Sequence, residues 1–396
     1  MTPATSTHWT AIWLSFLTGV VAAIAVTKAS PALLAMKQDL QLSIVQIGWL
    51  MSSVAVATVL LGIIAGSLSR QYGPKKVLQV ALGVIFVASS FGLLIESANQ
   101  LLASRIIEGV GIIFISVSAP TLISHLSKPS DTGLSMGVWA LWMPVGSVLV
   151  FLLSPFILDY FSWQWLWASP AIAALPLMFF LRLIPDLDLH LSKQHSDTTT
   201  SFDRTGAIFL AFVFICFTGI FFSFITYLTA YLIHNYELST SKALLVTTIL
   251  PICIIPGNLI SGFLIHKGLT PTQMMAYPAI AIIAIMSIMF NAEYTVPIGL
   301  MLLACFGFFL GMIPTGIFAQ APRMAAKPAD IGRVMGIIVT GQGIGILLAP
   351  PLAGYLISEQ QQWSNLYPLL ILLAILIVIL MKPVTRHQIT LYAKPE

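Results

Sequence analysis

Lys28, Arg105 and Glu108 are the clearest ionisable side chains inside apolar stretches of this sequence, and they define the chemistry open to it. An ionisable group in a hydrocarbon environment costs several kcal/mol unless it is paired or hydrated, so each calls for a role. Arg105 and Glu108 stand three residues apart, a spacing that puts both on one face of a helix. Two roles fit. Glu108 exchanges a proton with a cavity while Arg105 tunes it or grips an anion, or the two form a static ion pair. Lys28 also has two readings. As a cation beside Pro31 it meets a bend and binds substrate in a wet cavity, or it reaches the outer headgroups on its long stem. Should Lys28 and Arg105 face one cavity, that cavity is electropositive and selects anions. No Asp or Glu lies in residues 9–30, or in the apolar stretches between 205 and 357. A desolvated cation needs a counter-charge, so this pattern argues for an anionic or zwitterionic solute.

Composition dictates what must hold these residues. Of 396 residues, 58% are hydrophobic and 8% charged, against about 25% charged in soluble domains. So few charges cannot solvate an aqueous surface around that much apolar area. Globular aqueous, disordered and coiled-coil classes are excluded. The net charge of +4 is not gathered into a basic run, so nucleic acid is not expected as a partner. Cys216, Cys253 and Cys305 lie in apolar stretches without metal-ligand spacing, so no metal site or disulfide framework is expected. Residues 1–10 carry no Lys or Arg, which argues against a cleaved leader. No phosphate-binding Gly-x-x-x-x-Gly-Lys-Ser/Thr loop is present, and no cofactor is called for.

Apolar runs between charged or Pro/Gly punctuation predict twelve helices, near 9–30, 44–69, 76–96, 100–125, 132–158, 163–183, 205–233, 240–265, 271–291, 294–321, 331–357 and 364–382. With the N-terminus inside, fourteen Lys and Arg fall in cytoplasmic connections and three outside, so both termini are expected in the cytoplasm. The polar stretch from Asp186 to Arg204 reads as a cytoplasmic linker. It divides the chain into an N-terminal six-helix bundle (1–184), the linker (185–204) and a C-terminal six-helix bundle (205–396). The halves echo one another. Gly133, Met136, Gly137 and Gly146 return as Gly332, Met335, Gly336 and Gly345, and Gly66-x-Leu68 returns as Gly262-x-Leu264. Paired small residues of this kind also mark close helix approaches.

The loop Gly66-Ser67-Leu68-Ser69-Arg70-Gln71-Tyr72-Gly73-Pro74-Lys75-Lys76 resembles the loop between helices 2 and 3 of the major facilitator superfamily. There the family reads Gly-x-Leu-Ala-Asp-Arg-x-Gly-Arg-Arg/Lys. Gly66, Gly73, Lys75 and Lys76 fit, whereas Arg70 replaces an aspartate that belongs to a charge latch between the halves. Arg105-x-x-Glu108-Gly109 is similar to the family's helix 4 pattern. On helix 5, Met143-Pro144 has Met where the antiporter motif has Gly. Two segments, Thr27 to Leu34 and Tyr227 to Leu232, resemble the nitrate/nitrite and cyanate transporter-like branch of anion carriers.

The resemblance implies an all-α membrane protein of twelve transmembrane helices, with a cavity lined by helices 1, 4, 7 and 10 and exposed alternately to each side. The implied function is secondary active transport across the inner membrane of a small anion, by proton coupling or exchange. The alternative is a drug or siderophore exporter. Lys28, Arg105, Tyr227 and Gln342 are the expected substrate ligands, Glu108 the proton site, and Gly66, Arg70, Gly73, Lys75 and Lys76 the gating motif. Thr315 and Gln320 add hydrogen-bonding groups, while Trp139 and Trp142 either shape the cavity wall or pack. The expected partners are the solute, protons and the lipid bilayer, and the chain is expected to be a monomer.

Overall fold

A computed structural model describes residues 6–42, 44–184, 202–292, 295–325, 330–357 and 363–392. The greater part of the linker, 185–201, lies outside the described residues, as does Lys327. The first half of the chain forms α1 (Trp9–Thr27), α2 (Ala29–Asp39), α3 (Ile44–Tyr72), α4 (Pro74–Ser90), α5 (Ala98–Leu126), α6 (Thr132–Ala140), α7 (Trp142–Tyr160) and α8 (Trp163–Phe180). The second half forms α9 (Arg204–Tyr236), α10 (Thr240–Thr247), α11 (Ile249–His266), α12 (Gln273–Asn291), α13 (Val296–Gln320), α14 (Ile331–Ile357) and α15 (Leu366–Tyr392). Among the described residues, 12 segments are long and apolar enough to cross a membrane, matching the number of apolar runs. Large apolar side chains such as Leu60, Val80, Phe179 and Ile379 are exposed on the outside, where hydrocarbon rather than water is the natural solvent.

Three of these crossings are each built from two helices, and proline accounts for every break. A proline has no N–H for the carbonyl four residues earlier, so that carbonyl is left without its helical partner. α1 ends at Thr27, four before Pro31; α6 ends at Ala140, four before Pro144; α10 ends at Thr247, four before Pro251. The chain resumes helix after a single residue in each case, namely Lys28, Leu141 and Thr248. At the turn from α3 to α4, Gly73 has a φ of 86°, a conformation that side chains with a Cβ rarely adopt.

Six of the eight repeated glycines lie where the two halves touch, whereas Gly146 and Gly345 pack within their own halves against α1 and α9. A Cβ on Gly66 of α3 would overlap the carbonyl oxygen of Gly332 on α14, and one on Gly336 would lie 2.6 Å from the Gly62 oxygen. The partner contact joins α6 to α11: a Cβ on Gly262 would stand 3.0 Å from the Gly133 oxygen and 3.3 Å from Gly137 Cα. Gly66 pairs with the echo of Gly133, and Gly262, the echo of Gly66, pairs with Gly133. The sequence repeat thus becomes two equivalent backbone-to-backbone contacts, one on each side of the molecule. Both lie at the end that carries Arg70, Lys75 and Arg333.

Candidate functional site

Arg105 and Glu108 share one face of α5, as their spacing requires, that face meets α1, and Lys28 arrives from the break between α1 and α2. All three are enclosed, with side chains 0–1% exposed. Lys28 Nζ donates to Glu108 Oε1 and to the carbonyl oxygen of Trp167 on α8, the latter at 2.6 Å. Arg105 Nη1 lies 3.3 Å from Glu108 Oε2. The same guanidinium donates to the carbonyls of Ala25 and Val26, which lie in the last turn of α1. Ser89 Oγ on α4 donates to Glu108 Oε1 at 2.6 Å. The Trp167 ring closes the cluster, with Lys28 Nζ 4.3 Å and the Arg105 guanidinium 5.4 Å from its centroid. The indole N–H is held in turn by Ser104 Oγ at 3.0 Å. Two cations and one carboxylate therefore share a dry site within the first half of the chain.

Two cavities lie elsewhere, between the halves. One cavity is lined by Trp142 and Met143 from α7, by Phe214, Phe217, Thr218, Phe221 and Phe222 from α9, and by Asn258, Phe318 and Gln342. A second, larger one shares Phe221 and Phe222 and reaches Val26, Thr27, Ser30, Ser147 and Thr226. It extends toward the end of α1 that lies away from Arg70. Among the described residues, the first is lined by aromatic rings with hydroxyl and amide groups and the second by aliphatic, aromatic and hydroxyl groups, and no charged side chain lines either. Trp139 is fully buried and stacks on Trp142 with ring centroids 5.5 Å apart, and it meets Phe318 edge-on at 6.1 Å. Phe214 packs edge-on against the same Phe318 at 5.5 Å. These rings form the floor of the chamber toward the Arg70 end.

The expected ligands are thus distributed over three places. Lys28 and Arg105 meet at Glu108, behind the chamber wall. Gln342 lines the chamber itself. Tyr227 lines a separate lateral pocket with Phe224, Tyr231, Met289, Phe290 and Trp363, and its hydroxyl donates to Pro350 O at 2.9 Å. Thr315 supports the chamber from behind by donating to Asn258 Oδ1 at 3.0 Å, and Gln320 is buried. Of the gating motif, Arg70 Nη1 lies 3.0 Å from Asp330 Oδ1 across the halves, and Lys75 Nζ donates to Ile184 O at 2.5 Å. Sequence reasoning did not find Trp167, Ser89, Asn258, Asp330 or the α9 phenylalanines. Only Asp330 carried a local signal, its i,i+3 spacing from Arg333. The others are ordinary apolar-helix residues until packing places them.

A family model described as the Major Facilitator Superfamily matches residues 15–330. The hexuronate transporter of Bacillus subtilis (strain 168) is 21% identical over 374 residues, covering 89% of this chain and 88% of that protein. Multidrug resistance protein 3 of the same strain is 30% identical over 169 residues, covering 42% of this chain and 32% of that protein. The latter match, like one to a mycobacterial transporter, spans about a third of the relative's length. Among solved structures, the proton:xylose symporter XylE bound to 6-bromo-6-deoxy-D-glucose superposes with a TM-score of 0.82 at 14% identity, over 95% of both chains. With the family model matching most of its length and the fold shared end to end, the chain belongs to the Major Facilitator Superfamily and is a multi-pass membrane transporter rather than an enzyme.

Proposed function

We propose that this transporter moves an uncharged, lipophilic organic solute by alternating access, and that the solute binds in the aromatic chamber between the halves. The observation that carries this reading is that, among the described residues, the lining of both cavities is apolar, hydroxyl or amide and bears no charge. A solute bearing net charge would be desolvated there without a partner, whereas Phe214, Phe217, Phe221, Phe222, Phe318 and Trp142 supply apolar and stacking surface. Asn258 and Gln342 add amide groups on one wall, enough to orient a weakly polar molecule. Residues 1–184 and 205–396 rock as two units. With the excess of Lys and Arg in the cytoplasm, the glycine contacts and the Arg70–Asp330 pair close the cytoplasmic end, and the chamber faces outward. The buried Lys28–Glu108–Arg105 cluster, which leans on the α1 break beside the chamber, is the coupling element.

A second reading, an anion carrier, is favoured by the excess cation of that cluster and by the end-to-end likeness to a hexuronate transporter. In it Thr27 and Ser30 move aside and Lys28 meets the substrate. A thermal-stability screen of the detergent-purified protein separates the two. A ligand at 100 times its Kd adds about 2.7 kcal/mol when it binds only the folded state. Neutral aromatic compounds are expected to stabilise the wild type. Stabilisation by hexuronates, carboxylates or oxyanions alone, lost in Lys28→Ala, would establish the anion carrier instead.

A further inference from the structure

We propose that Lys28, rather than Glu108, is the group that gains and loses the proton in this transporter. The inference rests on the cluster being the coupling element, and it follows from charge counting and from donor counting. Arg105 keeps its charge, because a guanidinium is not deprotonated in a protein. With Lys28 as ammonium and Glu108 ionised, the enclosed cluster carries one net positive charge. Protonating Glu108 would raise this to two like cations packed around a neutral acid, in a site that is 0–1% exposed. Removing a proton from Lys28 leaves the neutral Arg105–Glu108 pair. Desolvation and like-charge repulsion both select the second change.

The hydrogen bonds agree. Glu108 is surrounded by donors: Lys28 Nζ and Ser89 Oγ reach Oε1, and Arg105 Nη1 reaches Oε2. A proton on that carboxyl would face two cations, with the Ser89 hydroxyl alone able to turn and accept it. Lys28 has two acceptors, Glu108 Oε1 and Trp167 O. A neutral amine has two N–H groups and satisfies both. The third proton of the ammonium has the face of the Trp167 ring as its neighbour, 4.3 Å from the nitrogen to the centroid. It is the proton that can leave without breaking a hydrogen bond.

The groups that face Lys28 from the surrounding helices are few. α5 brings Arg105 and Glu108, α4 brings Ser89, and α8 brings Trp167. On α7, Gly146 packs against Val20 and Ala23 of α1 and Ser147 lines the adjoining cavity, and neither titrates near neutral pH. Lys28 is also the interruption between α1 and α2, and Thr27 and Ser30 on either side of it line the larger cavity. A small movement at this break brings the nitrogen to water. One N–H bond then breaks, the electron pair stays on Nζ, and the proton passes to cavity water; uptake is the reverse.

The test needs no substrate. The protein is labelled with nitrogen-15 lysine and with glutamate carrying carbon-13 at the side-chain carboxyl, reconstituted in lipid nanodiscs, and titrated through neutral pH by NMR. The Lys28 and Glu108 signals are assigned by their loss in Lys28→Met and Glu108→Gln, with Lys28→Arg and Glu108→Asp as further variants should either fail to fold. The expected result is a shift of the Lys28 nitrogen from the ammonium to the amine position, while the Glu108 carbon stays at the carboxylate position. A Glu108 carbon that moves to the carboxylic-acid position, or a Lys28 nitrogen that remains ammonium throughout, would overturn the proposal. The chamber reading is judged separately, by ligand binding, so either can fail alone.

Discussion

Arg70 Nη1 and Asp330 Oδ1 stand 3.0 Å apart and join the two halves of the protein at the end where the glycines also meet. Asp330 is buried, and Arg333 approaches the same oxygen at 3.7 Å. In the family's loop the residue at the place of Arg70 is an aspartate. Here the first half supplies the cation and the second half the carboxylate of a pair that spans the halves.

The pair is expected to behave as one unit in a double-mutant cycle. Arg70 is 37% exposed, which limits the coupling to about 0.5–1 kcal/mol. Arg70→Gln and Asp330→Asn should each lower the thermal unfolding midpoint in detergent, and the double variant should lose less than the two losses added. Strict additivity would mean that the pair does not latch the halves.

Steric arguments apply to Gly66. A Cβ there meets the Gly332 carbonyl oxygen, a backbone atom that cannot rotate away. Gly66→Ala is therefore expected to part the α3–α14 contact and to shift the protein away from the state in which this end is closed. Gly83→Ala is the control, since its new Cβ would find its nearest neighbour, Met178 Cε, at 3.9 Å. Spin-label distances between α3 and α14 should lengthen in the first variant and not in the second.

Glu108→Gln and Lys28→Met should differ sharply in stability. The first leaves Lys28 and Arg105 enclosed without a counter-charge, a change that costs about 3–5 kcal/mol. Lys28→Met leaves the Arg105–Glu108 pair intact and is expected to cost much less. Thermal unfolding of the two purified variants checks the order. Equal losses would contradict the charge count.

The twelve crossings were legible because hydropathy alone marks a membrane span, and the glycine repeat because backbone contact between helices admits little else. Pro31 also signalled the break at Lys28. The i,i+3 spacing of Arg105 and Glu108 put them on one face, as observed, but spacing on one helix says nothing about which way that face looks. It looks into the first half rather than into the chamber, since Lys28 and the α1 carbonyls of Ala25 and Val26 consume its charges. Tyr227 was legible as a polar aromatic on α9, yet its register turns it to a lateral pocket. The chamber wall was the least visible part. Phe217, Phe221 and Phe222 have the composition of any buried helix, and only the meeting of the two halves gives them a common space.

Binding of a neutral aromatic compound that stabilises the protein, followed by titration calorimetry in wild type, Phe221→Ala, Gln342→Ala and Lys28→Met, tests the central claim most directly. The two chamber variants should weaken Kd about tenfold or more, equivalent to about 1.4 kcal/mol, and Lys28→Met should bind as the wild type does. Loss of binding in Lys28→Met, with both chamber variants unaffected, would contradict it.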